Sequence, residues 1–272
     1  MTGVVVTQAM RRQALGLSAM IAALMAVQAA GGLLVPSLYR DAEWARAAWY
    51  GNDIVTLAVA VPLLVGALVF ARRGSLRAEL VWFAMLGYAL YNYAYYVFGA
   101  RMNELFPLYV ALFVAPAVAL VLALGRFDAT ALAAAVSGRA PRRLVAGYMA
   151  LTGVGLAMAW LAQWAGWVFS GIEPAIGEEA FKLIASLDLS LMVPYFVLGA
   201  ALLWRSHPWG YILGAIMCLK GATYTLVLTV SSAVAATRGI EGTAAQIPVW
   251  AAWTLVGAVA AGALLAGVRR AG

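Results

Sequence analysis

Lys220 is the residue whose position most directly indicates chemistry, because it lies inside a long apolar stretch. Its predicted helix starts near Trp209, and eleven residues at about 1.5 Å each place Lys220 roughly 16 Å along the helix, near the middle of a bilayer. A lysine at that depth costs roughly 2.5–3.5 kcal/mol on insertion scales, so we interpret it as functional. The alternative is a lysine that snorkels to the interface or forms a fixed buried ion pair.

Asp188 is the predicted partner of Lys220. Counted from Trp204, it lies about 24 Å along its helix, and the vertical gap of about 8 Å to Lys220 is within reach of a long side chain. Asp53 occupies the matching place in the first half of the chain. Either aspartate would instead cap the start of its helix if that helix began there. We favour a site role for Asp188 and leave both interpretations open for Asp53.

A third group of polar side chains follows one face of the predicted third span. Tyr88, Tyr91, Asn92 and Tyr95 are spaced i, i+3, i+4 and i+7, which places them on the same side of a helix. Buried tyrosine hydroxyls need partners, so this face either bonds to other helices or lines a wet cavity. Tyr91 and Asn92 of this face, with Tyr224 in the second half, are predicted to converge with Lys220 and Asp188.

These residues belong to a pattern that occurs twice in the chain. Gln28, Glu43 and Asp53 recur as Gln163, Glu178 and Asp188 at a constant offset of 135 residues. Further on, at an offset of 133, the recurring pairs are Arg72 with Arg205, Ala89 with Ala222, and Tyr91 with Tyr224. Because polar positions repeat, we interpret the chain as a duplication, and repeats in membrane proteins often place a binding site at their interface.

The elements that position these residues are predicted to be membrane helices. With 65% apolar and 11% charged residues, the composition is far from that of a soluble protein. The sequence predicts an all-α, polytopic membrane protein with eight transmembrane helices in two tandem, parallel four-helix repeats. The predicted spans are 14–38, 53–71, 78–100, 107–125, 144–170, 184–204, 209–236 and 246–268.

Domain boundaries and orientation follow from the loops. Residues 1–126 form the first predicted repeat, 127–143 a cytoplasmic linker and 144–272 the second repeat. Twelve of the 18 basic residues fall on one side of the predicted membrane. Because basic loops stay in the cytoplasm, both termini are predicted to be cytoplasmic. The predicted location is the inner (plasma) membrane of the cell. The twelve basic residues are Arg11, Arg12, Arg72, Arg73, Arg77, Arg126, Arg139, Arg142, Arg143, Arg205, Arg269 and Arg270.

The short stretches that follow the two recurring glutamates are predicted to lie on the outer surface. Trp44–Tyr50 and Phe181–Ile184 are interpreted as interfacial or re-entrant helices, with Trp44, Trp49 and Tyr50 as belt anchors. Pro62 and Pro194 lie inside predicted spans and are expected to kink them.

Several classes of chemistry lack their motifs. The single cysteine and single histidine cannot build a metal or haem site, so neither a metal nor a cofactor is predicted. The net charge of +7 follows from topology, and nucleic acid is not an expected partner. The expected partners are the lipid bilayer and a small-molecule or ion ligand.

The leading hypothesis is a membrane carrier or binding protein that holds a small, partly polar molecule or ion in a cavity between the two halves. Proton coupling would follow if Asp188 titrates. The predicted ligand-binding residues are Asp53, Tyr88, Tyr91, Asn92, Asp188, Lys220 and Tyr224.

Three alternatives remain open. The first is a cofactor-free intramembrane enzyme that acts on a lipid or isoprenoid with Asp188, Lys220 and Asp53 as catalytic groups. The second is a chromophore-binding protein with retinal in a Schiff base on Lys220, although the four-plus-four pattern does not resemble the seven-helix microbial rhodopsins. The third is a structural subunit in which the polar residues only hold helices together.

Overall fold

The computed structural model describes residues 2–125, 127–136 and 140–268. This part of the chain is 86% helix and contains no strand. Four of the basic residues used to predict orientation lie outside the described residues; these are Arg126, Arg139, Arg269 and Arg270.

Eleven α-helices follow one another along the described chain. They are α1 (Thr2–Leu34), α2 (Glu43–Val55), α3 (Val61–Arg72), α4 (Leu76–Gly99), α5 (Phe106–Leu124), α6 (Ala129–Ala135), α7 (Arg142–Ser170), α8 (Glu178–Leu187), α9 (Val193–Trp204), α10 (Pro208–Thr237) and α11 (Thr243–Gly267). Two π-helical segments, Thr56–Ala60 and Asp188–Met192, join α2 to α3 and α8 to α9, so each pair forms one continuous rod.

Seven of the described helices are long and apolar enough to cross a membrane, so this is a multi-pass membrane protein. They are α1 from Met10 onward, the α2–α3 rod, α5, α7, the α8–α9 rod, α10 and α11. The helix α4 is also 24 residues long but is rich in tyrosine, and most of its side chains are buried against other helices. Protein contacts, rather than lipid, therefore surround its polar groups.

The two rods correct the predicted interfacial helices. Residues 44–50 and 181–184 do not lie on the surface as separate segments, because α2 and α8 continue without a break into α3 and α9. Trp49 stacks on Tyr96 with ring centroids 4.7 Å apart and is only 2% exposed, so it is not a belt anchor. The capping alternative for Asp53 is also wrong, because its helix begins ten residues earlier.

The prolines explain the two π-helical segments. Pro62 and Pro194 each stand near the start of the α-helix that follows a π-helical segment. Proline has no amide hydrogen and its ring clashes with the carbonyl four residues earlier, so a regular α-helical turn cannot pass through that point. A π-bulge widens the helix locally and accommodates the change, and such bulges frequently occur at functional sites.

Polar contacts group the helix ends into two sets. At one end, Arg11 donates to the Ala71 carbonyl at 2.6 Å and pairs with Glu79 at 3.1 Å, while Arg77 donates to the Val268 carbonyl at 2.8 Å. The start of α1 and the end of α11 therefore lie together, and we call this the Arg77 end. At the opposite end, the Glu43 end, Arg238 after α10 pairs with Glu43 of α2 at 2.6 Å.

The N-terminal helices α1–α5 meet the C-terminal helices α7–α11 mainly where α2 and α4 pack against α10. Gly51 of α2 approaches Ser231 of α10 so closely that an added Cβ would lie 2.6 Å from the Ser231 backbone nitrogen. The Ser231 hydroxyl also donates to the Ala48 carbonyl at 3.3 Å. Small residues allow this approach, as is usual where membrane helices touch.

Gly51→Ala is expected to destabilise the protein by about 1–3 kcal/mol, because the new methyl group meets backbone atoms that cannot rotate away. Gly66→Ala in the same rod is the matched control, since nothing lies within 4 Å of the added Cβ. Thermal unfolding in detergent would show the difference. Equal melting temperatures for the two variants would contradict the close contact of α2 with α10.

Candidate functional site

Lys220, Asp188 and Tyr91 form one buried cluster centred on the tyrosine. The Tyr91 hydroxyl donates to one oxygen of Asp188 at 2.6 Å. The Lys220 ammonium lies over the Tyr91 ring, 4.1 Å from its centroid, and 2.6 Å from the Met192 sulfur. Because the tyrosine separates the charges, Lys220 and Asp188 do not form a direct ion pair within 4 Å among the described residues.

Both oxygens of Asp188 are engaged by neutral donors. The second oxygen accepts a hydrogen bond from Trp160 Nε1 of α7 at 2.9 Å. Tyr224 of α10 completes the cluster, with its ring edge-on to Tyr91 at a centroid distance of 4.9 Å. Hydrogen bonds to both oxygens fix the orientation of the carboxylate, and Lys220 supplies a nearby positive charge.

Two other predicted residues of α4 lie outside this cluster. Tyr88 shares a hydrogen bond of 2.9 Å with Thr56, at the start of the first π-helical segment. Asn92 is buried, and neither its amide nitrogen nor its amide oxygen has a hydrogen-bond partner among the described residues. The structure therefore brings together four of the seven predicted ligand-binding residues, and their role in binding remains a prediction.

Asp53 lies in a separate, fully enclosed network. Its carboxylate accepts hydrogen bonds from Tyr39 at 2.6 Å, Tyr96 at 2.8 Å and the Gln28 amide at 3.1 Å. The Tyr93 hydroxyl donates to the Gln28 carbonyl at 2.8 Å. Every polar atom of Gln28 is thus used, and Asp53 has no exposed surface.

The donors around Asp53 are neutral rather than cationic. Burial, together with the Asp53 carboxylate, raises the pKa of the Tyr39 hydroxyl above its ordinary value, so this phenol keeps its proton and donates it to the hydrogen bond. A carboxylate enclosed by tyrosine and glutamine donors is held rigidly. The Asp53 network therefore has the character of a closed core, not of an accessible site.

A cavity of about 660 Å³ lies beside Asp188. Its walls come mainly from α7, the α8–α9 rod, α10 and α11, and the N-terminal helices contribute Ala48, Asn52 and Tyr95. The lining is largely carbon, with aromatic side chains that include Trp160, Trp250 and Trp253. The cavity lies mainly among the C-terminal helices, and α2 and α4 of the N-terminal half contribute a smaller part of its wall.

We infer from the packing of its walls that the cavity opens sideways between α7 and α11. These two helices have few contacts with each other. The helices at the matching places of the first predicted repeat, α1 and α5, pack along one another. The α7 side of the lining includes exposed residues, among them Leu151, Gly155 and Ala159. The opening therefore faces the surroundings of the helix bundle at the level of its apolar spans.

A second cavity of about 640 Å³ occupies the Glu43 end. Its lining is charged and includes Arg40, Arg101, Glu178 and Glu179. Tyr95 and Ile176 line both cavities and therefore form the wall between them. The charged cavity therefore adjoins the cavity beside Asp188 on the side of the Glu43 end.

Sequence reasoning missed three contributors to these clusters. Trp160 was not predicted, although an indole inside an apolar span is a donor that needs an acceptor when buried. Met192 carries no polar pattern that would mark it. Tyr39 lies between two spans, and only the folding of its loop back over Asp53 brings its hydroxyl into the network.

Comparison of the chain with protein-family models, with curated protein sequences and with solved structures finds no significant match.

Proposed function

We propose that this chain is an integral membrane carrier or binding protein whose small, partly polar ligand occupies the cavity among α7–α11. One observation carries the proposal: a cavity of about 660 Å³ that opens sideways and has a buried, oriented carboxylate, Asp188, in its wall. Its volume is within the range of about 300–1,000 Å³ typical of small-molecule sites. A mostly apolar lining with a few placed polar groups is also typical of such sites.

The residues divide the work of binding in this proposal. The apolar and aromatic walls cover the body of the ligand, while Asp188 and Asn52 orient its polar end. Lys220 does not line the cavity, and it acts behind Tyr91 by balancing the charge of Asp188. Asp188 is the first residue of a π-helical segment, and such segments occur frequently at functional sites.

Duplication and an even number of spans are part of the same proposal. We count α4 as an eighth span because it is long enough and because surrounding helices, not lipid, satisfy its tyrosines. The similar α–π–α construction of the two rods supports two parallel four-helix repeats. Arg11 and Val268 at the same end support placing both termini on one side, in the cytoplasm by the distribution of arginines.

Gly155→Trp is expected to remove any ligand that co-purifies with the wild-type protein. Gly155 lines the cavity and an added Cβ meets nothing within 4 Å, so the indole can fill the opening without displacing the helix. The control is Gly147→Trp on the same helix, which also has free space and does not line the cavity. Native mass spectrometry with extraction of bound molecules would compare the three proteins.

Retention of the same ligand by Gly155→Trp would exclude the cavity as the binding site. Loss of the ligand from both variants would show a general effect of tryptophan on α7, and it would also count against the proposal.

An enzyme that acts on a lipid or isoprenoid is the second candidate function. The observation that favours it is the carboxylate of Asp188 at the wall of an apolar cavity, where a general acid or base would have access to a hydrophobic substrate. Conversion of an added lipid by the wild type, lost in Asp188→Asn, would distinguish this function from binding alone.

A further inference from the structure

The opening of the cavity indicates where its occupant comes from. The outer face of α7 beside the opening is apolar and strongly exposed, with Leu151, Val154 and Met158 each more than half exposed. In a membrane these side chains contact acyl chains. A molecule that passes between α7 and α11 therefore arrives from the bilayer interior, not from water.

The walls indicate the body of the occupant. They are largely carbon, and three indoles and the Phe196 ring contribute broad, flat surfaces. At about 30 Å³ for each water-sized group, 660 Å³ holds roughly twenty such groups. This volume matches one apolar chain of about twenty carbons.

The polar atoms in the wall indicate the head of the occupant. Asn52 is 2% exposed, and its side-chain oxygen has no hydrogen-bond partner among the described residues. Two other strongly polar groups line the cavity: the carboxylate of Asp188, which is an acceptor, and the amide of Gln163, whose nitrogen already donates to the Ala159 carbonyl. A buried acceptor without a donor is costly, so this wall favours a ligand whose head donates a hydrogen bond.

The charges around the site indicate that this head is neutral. The Tyr91 ring carries Lys220 on its face and Asp188 at its hydroxyl, so the positive charge behind the wall offsets the negative charge of Asp188 in the wall. A cationic head would add an unbalanced charge in a region of low dielectric constant, and a neutral hydroxyl would not.

We propose that the occupant is a neutral lipid alcohol with one chain of about twenty carbons, which reaches the cavity sideways from the bilayer and donates its hydroxyl hydrogen to Asn52. This inference rests on the proposed binding function and specifies its ligand. In this proposal the ligand contacts neither Asn92 nor the charged cavity at the Glu43 end.

Binding of geranylgeraniol and of its methyl ether tests the head-group contact. The two probes have the same chain, and only the alcohol can donate a hydrogen bond. For the purified wild type, native mass spectrometry titrations are expected to give about tenfold tighter binding of the alcohol, because one hydrogen bond to a buried acceptor is worth about this factor. Asn52→Leu is expected to bind both probes equally and to bind the ether as tightly as the wild type does.

The controls separate this inference from the proposed function. Asn52→Leu removes a polar group that is not fully satisfied, so it is expected to unfold at the wild-type temperature or above. Equal binding of alcohol and ether by the wild type would overturn the hydroxyl contact and leave the cavity as a lipid site. Extraction of a water-soluble ligand that Gly155→Trp lacks would overturn the lipid proposal and support the binding function. Unchanged alcohol binding by Gly155→Trp would overturn both.

Discussion

Gly32→Ala is expected to lower the free energy of unfolding by about 3 kcal/mol or more. An added Cβ at this position would lie 2.1 Å from an oxygen of Asp53 and 2.3 Å from the Tyr39 hydroxyl. Both atoms must move, so the hydrogen bond between them is broken inside a network with no access to water. Hydrogen bonds to charged groups contribute about 1.5–3 kcal/mol each, and a displaced buried carboxylate adds its own cost.

The neighbouring glycine is a matched control for this prediction. At Gly31 the nearest atoms to an added Cβ are 3.9 and 4.0 Å away, which is ordinary van der Waals contact. Gly31→Ala is therefore expected to be neutral or slightly stabilising, by up to about 1 kcal/mol, because alanine favours a helix over glycine. Denaturation of both variants in detergent would measure the difference. Similar stability of the two would mean that the Asp53 network does not hold α1 against α2.

In the C-terminal half, the expected result is a rescue. Asp188→Leu alone should cost about 3–5 kcal/mol, because it leaves the buried ammonium of Lys220 without a compensating charge. Adding Lys220→Met to this variant removes the uncompensated charge and places a chain of similar length beside Met192. The double variant is therefore expected to recover about 2 kcal/mol relative to Asp188→Leu.

Lys182 provides the control, since it is the only other lysine in the chain and is exposed on α8. Adding Lys182→Met to Asp188→Leu should recover nothing, because an exposed ammonium is solvated. Unfolding in detergent of the wild type, Asp188→Leu, Lys220→Met and the double variant gives the coupling between Asp188 and Lys220 directly. Simply additive losses for Asp188 and Lys220 would show that the carboxylate does not stabilise the lysine.

These two experiments probe two aspartates that the sequence presents as equivalents. In the structure they differ in what surrounds them. Asp53 is closed by Gln28, Tyr39 and Tyr96, whereas Gln163, at the offset that matches Gln28, is exposed and bonds only to the Ala159 carbonyl. The C-terminal half thus has an open cavity at the level where the N-terminal half is filled with aromatic rings.

The sequence by itself determined the membrane character of the chain, because a run of apolar residues is a local property that fixes a span. Counting along such a span predicts the depth of Lys220 or Asp188 in a bilayer, and that depth stays a prediction. The i, i+3, i+4 spacing on α4 predicted one polar face with Tyr88, Tyr91 and Asn92, but of these three only Tyr91 contacts Asp188 and Lys220.

Only the tertiary structure decided which groups touch and where space remains. Lys220 lies against Tyr91 and Met192 instead of pairing directly with Asp188. Trp160, which is 28 residues before Asp188 in the chain, donates a hydrogen bond to its carboxylate. Such contacts depend on how each helix is rotated and how closely it approaches its neighbours. Glycines such as Gly51 and chain turns such as the one that carries Tyr39 set that geometry, and hydropathy along a single chain does not encode it.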